Sequence, residues 1–220
     1  MDEAEMKTVE MKTAGAEADW RRRVREYIGE EAQPVDKFGH QPRLARLCEY
    51  LADAPELAQT ADGDVLFAAA WMHDLGVFTG HRPSDPEALA RWDHVPYTVE
   101  ATDRLLREWG FPAEKLEAVS AAIRTHETRY EPTTPEGVVL RDADILEQLG
   151  AVGVARALVK VGRDTRYRRL SEVMPGMERA LETLPEKLKL ARAREMAAGR
   201  VASMRAFVEA LKSEAGDWLG

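Results

Sequence analysis

The residue pair His73-Asp74 ends an apolar, alanine-rich segment that reads Ala-Ala-Ala-Trp-Met-His-Asp. Three more of the five histidines recur on apolar sides of predicted helices: His40, His94 and His126. A single buried histidine is usually a hydrogen-bonded core residue, but each buried imidazole needs partners for its ring nitrogens. Four inward-facing histidines together therefore predict one metal site, with His73 and Asp74 as its central, catalytic residues. Cys48 is the only cysteine, so the ligands would be imidazoles and carboxylates.

These ligand types define the chemistry that such a site can perform. Imidazole and carboxylate suit the divalent ions of Mn, Fe, Co, Ni and Zn, and Mg²⁺ is also compatible with carboxylates. A bound ion lowers the pKa of a water and polarises a phosphoryl oxygen, and a second ion at ~3.5 to 4 Å would stabilise the attacking and leaving oxygens together. A carboxylate such as Asp74 could bridge two ions. The residues therefore predict a site for one or two divalent cations.

Helical periodicity predicts where these residues lie. His40 shares a helix face with Leu44 and Leu51, at i+4 and i+11. The segment 62–75 is apolar on nearly all sides, which predicts a buried helix that Gly76 ends just past the His-Asp pair. Further helices are predicted over 20–31, 40–54, 87–91, 94–109, 113–126, 138–161 and 184–212. No run shows the alternation of a strand, so the sequence predicts an all-α helical bundle with the metal site at its centre, between helices.

Composition limits the class of protein. The 220 residues suffice for one domain, predicted over 19–220, and 1–18 lack an apolar period and are predicted to be a mobile tail. A net charge of −8 argues against extended nucleic acid as a partner, although a small phosphorylated molecule needs only a local basic pocket. Since no apolar run reaches the ~18 residues of a membrane span and no signal peptide is recognised, we expect a cytoplasmic protein without a membrane partner. A homo-oligomer is left open, because an exposed apolar stripe cannot be told from a core stripe.

The order of His40, the His73-Asp74 pair and a distal aspartate resembles the HD superfamily of metal-dependent phosphohydrolases. The segment 141–156 reads Arg-Asp-Ala-Asp-Ile-Leu-Glu-Gln-Leu-Gly-Ala-Val-Gly-Val-Ala-Arg. It is similar to the segment Asp-Ala-Asp-Arg-Leu-Asp-x-x-Gly-Ala-x-Gly-x-Ala-Arg of small bacterial HD-domain hydrolases. The resemblance runs from about Trp20 to Glu214 and implies an HD-domain helical bundle over nearly the whole chain.

The resemblance implies a ligand set. One metal would be held by His40, His73, Asp74 and Asp144, and a second would be held with His94 and His126. Asp142 is the alternative to Asp144, because helical period does not decide between them. Arg43 and Arg156 are candidate substrate-binding residues.

Two departures from the resemblance bear on the site. Many catalytic relatives continue the His-Asp pair with Ile-Gly-Lys, whereas this chain has Leu75-Gly76-Val77, so phosphate binding is left unassigned. Asp93-His94 stands where binuclear relatives often have paired histidines, which bears on the second metal. The remaining histidine, His81, lies in a polar loop and is expected at the surface.

These residues lead us to expect a phosphohydrolase, either a phosphomonoesterase or a phosphodiesterase. Its substrate would be a small phosphorylated compound, above all a nucleotide, attacked by a metal-activated water. Two alternatives stay open. A di-iron oxygenase of the same fold would use the same six ligands, and a non-catalytic regulatory module would bind metal without turnover.

Overall fold

The computed structural model describes residues 18–55, 57, 61–163 and 167–216, and it assigns them to helices and turns without a strand. Within these residues the α-helices are α1 (Asp19–Glu31), α2 (His40–Ala52), α3 (Gly63–Met72), α4 (Pro86–Ala90), α5 (His94–Glu108), α6 (Leu116–Arg124), α7 (Pro135–Glu147), α8 (Gly150–Leu158), α9 (Met174–Thr183) and α10 (Ala191–Ala215). The predicted all-α class is confirmed. Of the predicted tail, only Ala18 falls within the described residues.

Helix α3 forms the centre of the fold. All eight residues of 65–72 are buried, and α1, α2, α6 and α7 pack around the helix. The Asp62 side chain begins it by accepting hydrogen bonds from the main-chain N–H groups of Asp64 and Val65. The residues that follow Met72 lie among the surrounding helices. His73 and Asp74 are therefore placed in the interior. Their predicted position at the end of a central helix is confirmed, although this helix ends at Met72 and a 3-10 turn covers Leu75–Val77.

Aromatic contacts attach α1 to this centre. The Trp20 ring meets Phe67 and Phe111 edge-on, with centroid distances of 5.5 and 4.8 Å. Such edge-to-face pairs stabilise a core beyond their buried area. In the part of the chain that the structure describes, no helix is both long and apolar enough to cross a lipid bilayer.

The predicted single helix over 138–161 is wrong, because the chain breaks at Gln148-Leu149 into α7 and α8. Gly150 has a φ of +73°, which L-residues rarely adopt. Three residues on, a Cβ at Gly153 would lie 2.2 Å from the carbonyl oxygen of Gln148, so only glycine permits this close turn. The break redirects α8 onto α10. Apolar spacing continues across the turn, and it therefore does not reveal the change of direction.

Two other predicted boundaries are also wrong. The helix predicted over 184–212 begins only at Ala191, after an extended stretch in which Asp142 accepts hydrogen bonds from the main-chain N–H groups of Lys189 and Leu190. The helix predicted over 113–126 starts with a 3-10 turn and ends at Arg124. In the first case a side chain from elsewhere in the chain, that of Asp142, holds the residues before α10 in a non-helical conformation although their apolar pattern would allow a helix.

We predict that Gly150→Ala destabilises the fold. A left-handed backbone costs an L-residue about 1 to 2 kcal/mol, and the new Cβ would also lie 3.2 Å from the Cα of Arg200. Urea denaturation should give a lower midpoint with an unchanged slope. Gly199→Ala in α10 is the matched control, because its Cβ would meet nothing within 4 Å and alanine favours a helix by up to about 1 kcal/mol. Equal effects of the two substitutions would contradict the explanation of the break.

Candidate metal centre

Helix ends bring the candidate ligands together. His40 is the first residue of α2 and His94 the first of α5, whereas His126 lies just past the end of α6. His73 and Asp74 follow α3 directly, and Asp144 alone comes from within a helix, α7. His40, His73 and His126 are buried, and His94 and Asp74 are partly buried. All six residues of the expected ligand set therefore meet in one region of the interior.

Asp74 lies at the centre of this cluster. Its Oδ2 is 3.7 Å from His40 Nε2 and 3.6 Å from His73 Nε2, and its Oδ1 is 3.6 Å from His94 Nε2. His40 Nε2 is also 3.3 Å from His73 Nε2 and 3.4 Å from Asp144 Oδ1. Ligands at about 2.0 to 2.2 Å from a shared ion are separated from each other by roughly 3 to 3.5 Å. The separations are therefore close to those of a coordination shell.

Two overlapping groups of ligand atoms share Asp74. One comprises His40, His73 and Asp74, the other Asp74, His94 and His126, and in each group the atoms lie within 4.8 Å of one another. Asp144 extends the first group through its 3.4 Å approach to His40. The residues present thus fit one or two divalent ions bridged by a carboxylate.

An orphaned nitrogen supports this fit. His94 Nε2 is buried and has no hydrogen-bond partner among the described residues, and its 3.6 Å distance to Asp74 is too long for a hydrogen bond. Buried polar atoms in folded proteins are nearly always satisfied. A cation between His94 and Asp74 would supply the missing partner.

Hydrogen bonds on the outer ring nitrogens orient three of the histidines. Nδ1 lies 3.0 Å from the Ala70 carbonyl oxygen in His73 and 2.6 Å from the Ile123 carbonyl oxygen in His126. In His40, Nδ1 lies 3.3 Å from Glu147 Oε2. Because each Nδ1 faces an oxygen that can only accept, we assign the proton to Nδ1. The lone pair of each Nε2 then points into the cluster, as a metal requires.

The electrostatics of the cluster also match those of a metal site. Burial lowers the pKa of His73 to about 4, so its imidazole is neutral at physiological pH. Burial also lowers the pKa of His94, and this effect exceeds the rise caused by the negative charge of Asp74. Burial by itself raises the pKa of Asp74, but the surrounding histidines, His73 foremost, bring it well below its ordinary value. Neutral imidazoles around an ionised carboxylate are the protonation states that bind a divalent cation.

The structure separates the two aspartates between which helical period did not decide. Asp142 points away from the cluster, and its carboxylate accepts main-chain hydrogen bonds of 2.9 Å from Lys189 and 2.7 Å from Leu190. Asp144 faces His40 and accepts a 2.9 Å hydrogen bond from the Gln148 side chain. The geometry therefore favours Asp144 as the candidate ligand and gives Asp142 a structural role.

A cavity of about 360 Å³ opens beside the cluster. Cationic residues from three separate segments form part of its wall: Lys37, Arg82, Arg156 and Lys160. The indole of Trp92 lines the cavity too, and its Nε1 donates a 3.0 Å hydrogen bond to the Gly76 carbonyl. Apart from Arg156, sequence reasoning missed these basic residues, because nothing in their spacing indicates that their segments meet.

Of the two predicted substrate-binding arginines, only Arg156 lines this cavity. Arg43 is not in the cavity wall, and its guanidinium binds Glu147 behind His40, with Nη2 2.9 Å from Oε2. The predicted substrate contact of Arg43 is therefore not supported. Sequence reasoning also missed Glu147, although its position three residues after Asp144 could have indicated a shared helix face.

The prediction that His81 lies at the surface is wrong. Its side chain is 12% exposed, with Nδ1 2.7 Å from the Tyr97 hydroxyl and Nε2 3.1 Å from Glu31 Oε2. The polar loop 77–93 folds back over α1 and α5, so polarity in the sequence did not mean exposure. His81 does not line the cavity, and its two contacts support this loop.

Gly76 permits the close approach that brings His94 to the cluster. A Cβ at this position would lie 2.8 Å from the His94 carbonyl oxygen and 2.9 Å from Thr98 Oγ1. The Gly76 N–H donates to the same Thr98 hydroxyl at 3.0 Å. The turn after the His-Asp pair is thereby held against the first turn of α5.

Comparisons with known proteins agree with this arrangement. A family model described as the HD domain matches residues 38–149, just over half of the chain. The structure of Bacillus subtilis YpgQ in complex with ADP is 23% identical, with a TM-score of 0.64 over 89% of this chain and 94% of that chain. A predicted HD superfamily hydrolase from an uncultured Thermotogales bacterium is 26% identical, with a TM-score of 0.59 over 89% of this chain and 92% of that one.

A curated relative is also similar to part of the chain. The 3'-5' exoribonuclease YhaM of Listeria innocua is 24% identical over an alignment of 144 residues that covers 63% of this chain. The chain spans 45% of the length of that relative.

We predict that Asp144→Ala weakens Mn²⁺ binding by at least roughly tenfold, because it removes an oxygen facing His40. Asp142→Ala should leave the affinity unchanged and lower the free energy of unfolding by about 1 to 3 kcal/mol, since the main-chain N–H groups of Lys189 and Leu190 lose their acceptor. Titration calorimetry and urea denaturation of the metal-stripped proteins measure both effects. Loss of binding in Asp142→Ala but not in Asp144→Ala would reverse the assignment.

We predict that the metal-free protein loses stability as the pH falls from about 6.5 to 4. Because the pKa of His73 is lowered from 6.5 to about 4, the unfolded chain binds a proton in this window that the folded protein does not. Stability therefore rises with pH up to about 6.5 and levels off above it, and His73 contributes at most about 3 kcal/mol. Urea denaturation across this range should show a shallower dependence for His73→Gln. Equal slopes for variant and wild type would contradict the burial of a neutral His73.

Proposed function

Because the chain belongs to the HD-domain family, we propose that it is a metal-dependent phosphohydrolase whose substrate is a nucleotide. The observation that carries this proposal is the meeting of two kinds of residue in one cavity. Five of the candidate ligands line it, namely His40, Asp74, His94, His126 and Asp144, and basic side chains line it as well. Such a cavity pairs a site for a divalent cation with a site for an anionic substrate.

The proposed metal would be held by the histidine and aspartate cluster. His40, His73, Asp74 and Asp144 would hold one ion, and His94 and His126 would hold a second together with Asp74. A divalent ion bound there lowers the pKa of a water and polarises a phosphoryl oxygen. Burial keeps the His73 imidazole neutral, and hydrogen bonds at Nδ1 orient His73 and His126, so that little reorganisation is needed on binding.

The basic wall of the cavity is proposed to bind the phosphate groups. Lys37, Arg82, Arg156 and Lys160 all border the space beside the ligands. Arginine and lysine neutralise phosphate charge, and arginine can do so with two parallel hydrogen bonds. Many catalytic relatives have a lysine at the position of Val77, whose apolar side chain cannot bind phosphate. The basic side chains of the cavity wall would bind the phosphate instead. They would hold the scissile phosphoryl group against the cluster.

A nucleotide is favoured by the remaining side of the cavity. The Trp92 indole is held in place by its hydrogen bond to Gly76 and presents an aromatic surface on which a base can stack. The volume of about 360 Å³ falls at the lower end of the range for small-molecule sites. Two relatives point the same way, one solved with ADP and one named an exoribonuclease.

The test is turnover of a defined panel by the purified protein. Nucleoside mono-, di- and triphosphates, a generic phosphate ester and a short single-stranded RNA are each offered with Mn, Co, Fe, Ni or Mg. We expect a nucleotide to be hydrolysed and the rate to fall at least about 100-fold in His73→Ala, which loses a central ligand. The product identifies the bond that is cleaved, and cleavage of RNA alone would contradict a mononucleotide substrate. Metal binding without turnover would indicate the regulatory alternative, and oxygen consumption with a mixed-valent iron signal the oxygenase.

We predict that Arg82→Ala and Lys160→Ala each raise the KM for the nucleotide by roughly tenfold, because a hydrogen bond to a charged group contributes about 1.5 to 3 kcal/mol. Metal content should stay that of the wild type, since neither side chain belongs to the ligand groups. Steady-state kinetics and metal analysis measure the two effects. Lys212→Ala, which removes a cation that pairs with Glu178 far from the cavity, is the control. An unchanged KM in both cavity variants would contradict the proposed phosphate contacts.

A further inference from the structure

One turn of α7 contacts both ring nitrogens of His40. Glu147 ends this helix, and its Oε2 lies 3.3 Å from His40 Nδ1. Asp144, three residues earlier, places Oδ1 3.4 Å from His40 Nε2. Residues three apart are neighbours on a helix surface, so both carboxylates reach the imidazole from the same side of α7. The proposed reaction uses only Asp144, and Glu147 needs a separate explanation.

Two other helices hold the Glu147 carboxylate in place. From α2, Arg43 places Nη2 2.9 Å and Nε 3.0 Å from Oε2. From α8, Arg156 donates a 3.1 Å hydrogen bond to the main-chain oxygen of Glu147, and its Nη1 lies 3.8 Å from Oε2. The Glu147 side chain is only 2% exposed, so these contacts replace water almost completely. A buried acid held on several sides is suited to fixing the position of its neighbour.

The contacts of Glu147 indicate that its carboxylate accepts hydrogen bonds. Arg43, which has donors and no acceptor, places Nε 3.0 Å and Nη2 2.9 Å from Oε2. The same oxygen faces His40 Nδ1 at 3.3 Å, so Glu147 accepts and His40 Nδ1 donates.

We propose that Glu147 is a positioning residue, which accepts a hydrogen bond from the Nδ1–H of His40 and so directs the Nε2 lone pair to the metal, while Arg43 holds Glu147. The inference rests on the proposed metal site. Ligating histidines commonly donate their second nitrogen to such a partner, and loss of the partner typically weakens metal binding 10- to 100-fold. Arg43 would thereby support a ligand through Glu147.

The tautomer of His40 tests the proposal without any metal. Long-range ¹H–¹⁵N correlation spectra of the metal-free wild type, at about pH 8 and so above the ordinary histidine pKa, should show the proton of His40 on Nδ1. His73 and His126 are internal references, because main-chain carbonyls hold their Nδ1 atoms. In Glu147→Ala the His40 proton should move towards Nε2, with both references unchanged. A proton on Nε2 of His40 in the wild type would overturn the proposal, and this result does not depend on the folding of any variant.

Metal affinity is the second measurement. Mn²⁺ titrated into the metal-free proteins should bind roughly 10- to 100-fold more weakly to Glu147→Gln and Glu147→Ala than to the wild type. Arg43→Met should also weaken binding, but by a smaller factor. Glu136→Gln is the matched control, because Glu136 is another buried glutamate of α7 and accepts a 2.7 Å hydrogen bond from the Asp62 main chain, far from His40. Its affinity should equal that of the wild type.

The two proposals fail in distinguishable ways. If the wild type binds no divalent ion, the proposed function is contradicted regardless of Glu147. If the wild type binds Mn²⁺ and folded Glu147→Gln binds it equally well, only the role of Glu147 is overturned. A weaker affinity in Glu147→Gln with wild-type affinity in Glu136→Gln supports both.

Discussion

The burial of His73 and Asp74 at the end of α3 is the constraint on which the rest of the site depends. An imidazole and a carboxylate placed in the interior lose their water, and each nitrogen or oxygen left without a partner costs several kilocalories per mole. The fold meets part of this cost with protein groups, such as the Ala70 carbonyl that accepts from His73. It leaves the inner nitrogens facing one another around Asp74, where only a cation satisfies all of them together. The arrangement of these buried nitrogens destabilises the metal-free protein. The same arrangement therefore favours the binding of a metal ion.

The candidate ligands lie at helix ends more often than on helix faces. A residue inside a packed helix has its direction fixed by the helix axis, whereas a residue at an end can be turned by the adjoining segment. His40, His94 and His126 all occupy such positions, each at the end of a different helix. Gly76 is required for the same reason, since only a residue without a Cβ lets the turn after Asp74 approach the start of α5. Convergence of helix ends gathers candidate ligands from four segments, and α7 adds Asp144 from within a helix.

The sequence was sufficient for the fold class and for the set of residues that meet. Apolar period located most helices, and the resemblance of 141–156 to a family segment selected Asp144 where period alone was undecided. Breaks between helices were missed, because Gly150 allows the chain to turn while the apolar spacing carries on. The basic wall was missed for a different reason. Its members, such as Lys37 and Lys160, are distant in sequence and become neighbours only when the helices pack.

Asp142 and Asp144 illustrate how one short motif serves two needs. Two residues apart on a helix, their side chains point in directions roughly 200° apart, so they cannot share a site. Asp142 turns outward from the cluster to anchor the segment before α10, and Asp144 turns inward to His40. Glu147 comes one turn after Asp144 and contacts Nδ1, the other ring nitrogen of His40. The spacing of these three acids therefore lets Asp142 support the segment before α10, while Asp144 and Glu147 contact the two ring nitrogens of His40.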